Sequence, residues 1–456
     1  MAFSSLPANF AMPAALPKLG GLDFKPPRGT RAVLGNGLVV YLLKDSTLPV
    51  IHMTAYIRTG KLYDPAGKIG LGEMTAGLLK DGGTAKYKPE EIDRTLEFLA
   101  ASVESSMGIE EARADLTCLK KDLDAVLDIY ADVLMRPVFA PEKVKLRRDE
   151  LLEMIRRRYD DPGRAVVREA LRSFYGPSHP YGWRSEEATL KAVKREDLAA
   201  CHANYYKPNN IIIAAAGDFG SDEEMLGKLE ARFGAWPRGE VKFPVLPPVR
   251  LEGGRRVFHL EKDIPQTYIV MLQKGLKRHD PQEYPLTIAN EILGGGLSSR
   301  LASEVRSRLG LAYTVYSYFV KKPDFGYSLA YCGTNPETCG QALAEMLRQY
   351  DLISREAAPD EEVKRARDSI VNSFVFRFPT PFDLITERAS YEYHDYETSY
   401  LDDYIGNLSK VTPASVLETS GKLFKTEDAA IFVIGDSKRF DKPLSGFGPV
   451  TELKEN

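Results

Sequence analysis

Six histidines, His52, His179, His202, His259, His279 and His394, are the only imidazoles in the chain, and no two of them stand three to five residues apart. A helical or hairpin pair of zinc-binding histidines therefore cannot be assembled locally. The four cysteines, Cys118, Cys201, Cys332 and Cys339, are equally scattered. They form neither a Cys-x-x-Cys site nor a disulfide framework, and are expected to be buried apolar residues or ordinary thiols. The second half is richer in chemistry. Arg306 falls late in a helical stretch that Gly310 can end in the left-handed conformation, and Tyr313 opens the β-rich run that follows. A guanidinium and a phenol so placed can point into one cleft, although singly they would read as a surface ion-pair residue and a core residue. Gly294, Gly295 and Gly296 are a poor phosphate cradle, because no Lys-Ser/Thr follows and helix-like residues precede them, so a tight loop between helices is expected. Gln266 and Tyr268 precede a strand whose edge could pair with an extended peptide.

These residues need a large scaffold to hold them. The chain has 456 residues, of which 43% are apolar and 27% charged, which is the profile of a folded protein of two to four domain-sized units. It contains no run of roughly 18 apolar residues to span a membrane. With a net charge of −3 and mixed signs, it has no footprint for nucleic acid or anionic lipid. The most basic stretch, Lys143 to Arg148 followed by Arg156 to Arg158, is flanked by acids and reads as a solvated helix face. Residues 1–28 are Ala- and Pro-rich without a basic leader, and Pro13 and Pro17 interrupt the apolar stretch, so a signal peptide is not expected. The bacterial periplasm is favoured if an export signal has been removed, and the cytoplasm otherwise.

An internal duplication organises the chain. Ile211 to Ala216, closing in Gly217-Asp218, is matched by Ala430 to Ile434 closing in Gly435-Asp436, an offset of 218 residues. Ala140-Pro141-Glu142 with Arg148-Asp149 is matched by Ala358-Pro359-Asp360 with Arg367-Asp368, an offset of 219 at the second landmark. Between the landmarks each half has a helical stripe, Leu123, Val126, Leu127 and Tyr130 in one and Leu343, Met346, Leu347 and Tyr350 in the other. Strand-like runs precede the stripes at residues 38–43, 51–57 and 112–117, and again at 267–272, 314–319 and 327–331. The expected fold is α+β: two tandem homologous domains, 29–235 and 255–437, each an antiparallel-rich sheet packed with helices. Between them lies a Pro-rich linker, 236–254, whose four prolines limit its flexibility. Residues 438–456 are left as a tail.

Residues 69–84, read within this order of elements, show a resemblance to the duplicated pitrilysin-type (insulinase-like) zinc metallopeptidases. It extends over essentially Arg28 to Asp436. Those enzymes carry an inverted zinc motif, His-x-x-Glu-His, in which two histidines share one helical face and the Glu works on the metal-bound water. Here the three positions hold Glu73, Ala76 and Gly77. The position of the third ligand falls near Glu153, a lone carboxylate. The resemblance therefore implies a chain with no metal and no cofactor of its own, inactive alone. His179-Pro180-Tyr181 also matches a family stretch, with His179 expected as a structural loop histidine. Asn290 to Tyr313 resembles the family's C-terminal signature, in which an Arg and a Tyr seven residues apart reach across to the zinc of the facing half. That implies Arg306 and Tyr313 as catalytic residues, with Gln266, Tyr268 and Gly294 to Gly296 on the substrate side. The implied partners are a zinc-bearing homologous subunit in a heterodimer and an unstructured peptide substrate. A catalytically inert structural or peptide-binding, chaperone-like homologue is the alternative.

Overall fold

The computed structural model describes residues 25–455. The first half supplies β1 (Thr30–Val33), β2 (Val39–Lys44), β3 (Val50–Ile57), β4 (Ser102–Met107), β5 (Ala112–Leu119) and β6 (Ile211–Gly217). The second supplies β7 (Arg256–Glu261), β8 (Thr267–Lys274), β9 (Ala312–Val320), β10 (Tyr327–Thr334), β11 (Ala430–Gly435) and β12 (Val450–Glu452). Helices of the first half are α1 (Leu71–Asp81), α2 (Pro89–Phe98), α3 (Leu123–Met135), α4 (Pro141–Arg156), α5 (Pro162–Tyr175), α6 (Glu187–Ala192), α7 (Arg195–Tyr205) and α8 (Asp222–Phe233). Those of the second are α9 (Glu283–Asn290), α10 (Cys339–Arg355), α11 (Asp360–Ser373), α12 (Pro381–Tyr393), α13 (Tyr400–Ser409) and α14 (Pro413–Leu423). None of them is long and apolar enough to cross a membrane.

The strands form two six-stranded sheets of matching order, β1-β2-β6-β3-β5-β4 and β12-β7-β11-β8-β10-β9. Both are mixed: β2 runs parallel to β6, and β7 runs parallel to both β11 and β12, while every other pair is antiparallel. The duplicated apolar runs are thus the inner strands β6 and β11, and both helical stripes are fully packed in α3 and α10.

Alternation along the inner strands shows how each sheet is covered. Ile211, Ile213 and Ala215 of β6 enter the core beneath the helices of their own half. Ile212, Ala214 and Ala216, on the opposite face, pack with Tyr41 and Tyr56 against Ile385, Ala389 and Tyr393 of α12, a helix of the second half. The second sheet repeats the arrangement in reverse. Ile431 and Val433 of β11 face their own core, whereas Ala430, Phe432 and Ile434 lie under Ala165, Val166, Ala170 and Phe174 of α5, from the first half. Burial on both faces explains why these strands are apolar throughout rather than alternating. Each sheet therefore borrows a cover helix from the other half, and the boundaries at 235 and 255 divide the chain in sequence but not in packing.

Two expectations about boundaries change. Residues 450–452, within the expected tail, form β12 and pair with β7, so the second sheet extends past residue 437; a three-residue, exposed strand leaves no apolar period to detect. Residues 237–253 form neither helix nor strand, yet they pack on both halves: the Phe243 ring meets Tyr63 at a tilt, and Leu246, Val249 and Leu251 join the core under α5. The first 24 residues lie outside the described part of the chain. Next to them, the Pro26 and Pro27 carbonyls accept hydrogen bonds from Arg388 of α12 at 2.9 and 2.8 Å.

Candidate functional site

The helix that would carry a zinc motif is well formed. Gly70, at φ 106°, turns the chain into α1, and the Asp64 carboxylate accepts hydrogen bonds from the Gly70 and Gly72 amides at 2.7 and 2.8 Å. These are free N–H groups of the first turn, which an acidic acceptor satisfies. Burial pushes the Asp64 carboxyl up to about 7 despite these bonds.

One turn on, the motif positions do other work. Glu73 is held by the Lys61 ammonium at 2.8 Å. Ala76 is fully buried, and its carbonyl accepts a hydrogen bond from the Ser105 hydroxyl at 2.5 Å. Gly77 faces the guanidinium of Arg147 on α4, whose Nε would lie 3.0 Å from a Cβ built at Gly77. Glu153 is more than half exposed and pairs with Arg156 of its own helix at 3.3 Å. These groups do not fit zinc: the face offers one carboxylate, already neutralised, with a second cation beside it. Among the described residues, no cluster of three or more His, Cys, Asp or Glu side chains could hold a metal ion.

The second-half signature is assembled differently. Ala302–Arg308 is wound as a π-helix, with the Leu309 amide reaching back to the Glu304 carbonyl, and Gly310, at φ 64°, ends it. Such widened turns are frequent at functional sites. Arg306 is exposed, and Tyr313, at the start of β9, is 80% exposed. Neither side chain forms a hydrogen bond or ion pair among the described residues, while their neighbours Arg300 and Arg308 are tied to Glu362 and Glu304 at 2.6 Å. Tyr313 is therefore not the core residue that its type alone suggests.

The glycines correct a sequence expectation. Gly294 and Gly295 are not a loop between helices but the last turn of a π-wound extension of α9, Glu291–Gly295, and only Gly296 is extended. A side chain at Gly294 would collide with Ser317 of β9, so this glycine allows the helix end to lie on that strand. The edge expected beside Gln266 and Tyr268 is also absent. Their strand, β8, is bonded on both sides, to β10 and β11, and its nearly unbroken apolar run was the available sign of an interior strand. Tyr268 instead donates to the Gln266 side-chain carbonyl at 3.1 Å and neighbours Tyr331, which stacks on Tyr316 at 5.1 Å. The edge strands of this sheet are β12 and β9, and Tyr313 is the second residue of β9.

His179 is structural. Its Nδ1 accepts the Tyr181 amide at 3.1 Å, so Nε2 carries the proton and donates to the Pro247 carbonyl at 3.0 Å, fastening the segment between the halves. Burial lowers its pKa. The cysteines are ordinary thiols, with burial raising Cys118, Cys201 and Cys332 to about 12. Two features escaped sequence reasoning. Arg147, together with Arg148 and Arg158, leaves the solvated basic face and turns inward; Arg148 bonds the Val193 carbonyl at 2.7 Å, and Arg158 is only 6% exposed. Glu110, between β4 and β5, gathers Arg278, Lys322 and the Tyr181 hydroxyl into a buried cluster across the two halves.

A paired-sheet fold with exchanged cover helices and a motif helix at α1 is matched by comparison with known families. The model described as Insulinase (Peptidase family M16) matches residues 39–178, and that described as Peptidase M16 inactive domain matches residues 192–370. The chain belongs to this pitrilysin/insulinase-like family. An uncharacterized zinc protease of Mycobacterium tuberculosis is 30% identical over 354 residues, covering 76% of this chain and 79% of that protein. Another, from Bacillus subtilis, is 24% identical over 406 residues, covering 88% and 97%. The peptidase M16 inactive domain from Pseudomonas fluorescens superposes with a TM-score of 0.82 at 22% identity, covering 91% of this chain and 99% of that one. A protease from Helicobacter pylori superposes at 0.78 with 19% identity, covering 89% and 98%. Of the residues that the resemblance puts at the zinc-motif positions, Ala76 and Gly77 have no side chain that could bind a metal, and Glu73 is paired with Lys61.

Proposed function

We propose that this chain is the non-zinc subunit of a two-chain zinc metallopeptidase, in which it lends Arg306 and Tyr313 to a zinc site carried by a homologous partner. One observation carries the reading: Arg306 and Tyr313 are both exposed and unengaged on either side of the left-handed Gly310, while Glu73, Ala76 and Gly77 cannot ligate metal. Zinc in the partner would polarise the scissile carbonyl and supply the activated water. The residues of this chain would then bind the peptide backbone through the guanidinium and stabilise the developing oxyanion through the phenol, where each donor is worth roughly 10²–10³ in rate. As an edge strand, β9 offers backbone donors and acceptors to an extended peptide beside Tyr313. A purely structural or chaperone-like role would give the free Arg306–Tyr313 pair no task.

The test is metal stoichiometry in the assembled enzyme. Purified with a homologue that has an intact His-x-x-Glu-His, the pair should form a heterodimer holding one zinc, all of which is retained when Glu73 and Glu153 are both replaced by Ala. Zinc lost with these two carboxylates, or a full equivalent bound by this chain alone, would contradict the reading.

A further inference from the structure

The motif helix has not simply lost its ligands, because the vacated volume is filled. We infer that Arg147 acts as a built-in cation at the face of α1 where family members hold a metal, and that Gly77 is the residue that makes room for it. The inference does not depend on a partner subunit. Its basis is steric and electrostatic.

A Cβ at Gly77 would meet Arg147 Nε at 3.0 Å and Cζ and Nη2 at 3.3 Å, so the guanidinium occupies space that an imidazole on this residue would need. Arg147 is kept there by Glu150, one turn along α4, at 3.1 Å. Its Nε is buried and has no hydrogen-bond partner among the described residues, a cost that a freely solvated arginine would avoid by turning outward. Glu73, the carboxylate at the first motif position, is neutralised by Lys61. Both carboxylates next to this face are thus engaged by cations, Glu73 by Lys61 and Glu150 by Arg147, so the face of α1 offers no free anion to a divalent cation and the guanidinium fills the space that a ligand would need. Glycine inside a helix is otherwise unfavourable by roughly 1 kcal/mol relative to alanine, so its presence at position 77 calls for a packing reason of this kind.

Two experiments address this in the full chain. The first restores the motif with Glu73→His, Ala76→Glu and Gly77→His, either alone or combined with Arg147→Ala, and titrates each protein with Zn²⁺. The expected result is binding at least about tenfold tighter when Arg147 is removed and its guanidinium no longer occupies the space beside residue 77. Equal affinity in the two proteins, including no binding by either, would overturn the inference. The second needs no metal and only one mild substitution. Gly77→Ala should lower the melting temperature in the native background but raise it by about 2 °C in Arg147→Ala, where the helix-favouring methyl meets no guanidinium. The same shift in both backgrounds would overturn it equally.

Discussion

The exchange of cover helices predicts that a cavity made in the second half will loosen the first. Ile385 of α12 is fully buried against Tyr41, Tyr56, Ile212, Ala214 and Ala216 of the first sheet. Ile385→Ala removes three buried carbons, worth about 0.8 kcal/mol each in transfer, or about 2.4 kcal/mol together. A cavity term adds to this, because Ala214, Ala216 and Ala389 have no longer side chains with which to fill the gap, so the total should be about 3–4 kcal/mol. Denaturant unfolding gives the total. Hydrogen exchange gives its location: amides of β2 and β6, more than 160 residues away in sequence, should lose protection, while β8 and β11 change less. A loss under 1 kcal/mol, or faster exchange confined to α11–α14, would refute the exchanged-cover arrangement.

Other outcomes follow from the buried charges. Glu110→Gln leaves Arg278 and Lys322, only 16% and 12% exposed, without their anion, and should cost about 3–5 kcal/mol in denaturant melts. Asp64 links stability to pH. Its folded pKa of about 7 lies above the ordinary aspartate value of 3.8, so the folded state binds more protons than the unfolded chain across that interval. Stability should therefore fall as pH rises from about 4 to 7, by on the order of 4 kcal/mol from this group alone. Asp64→Asn should flatten that part of the profile; an unchanged slope would show that Asp64 is not the group responsible.

Periodicity and repetition made most of the architecture legible, because both report local burial. The 218-residue offset between β6 and β11 and the stripes of α3 and α10 survive in the structure at their expected places. Which sheet a helix covers is not local information, so α5 and α12 could be recognised as amphipathic without any sign of their exchange. The short β12 and β1 bury little and leave no pattern. Arg306 and Tyr313 were singled out by the resemblance of Asn290 to Tyr313 to the family's C-terminal signature, with which their spacing about Gly310 agrees, but exposure and the absence of partners are properties only of the folded chain. Arg147 was hidden in a run of basic residues whose other members mostly do face solvent; its signal was the unexplained Gly77 on the facing helix.

The central claim is tested most directly by peptidase activity in a reconstituted pair. Mixed with its zinc-bearing homologue and an unstructured peptide, the native chain should give cleavage that neither protein shows alone. Arg306→Ala with Tyr313→Phe should lower kcat/KM by at least about 10² while leaving the melting temperature and heterodimer formation unchanged, since neither side chain has an internal partner. Full activity with the doubly substituted chain, or no activity in the native mixture, would contradict the account.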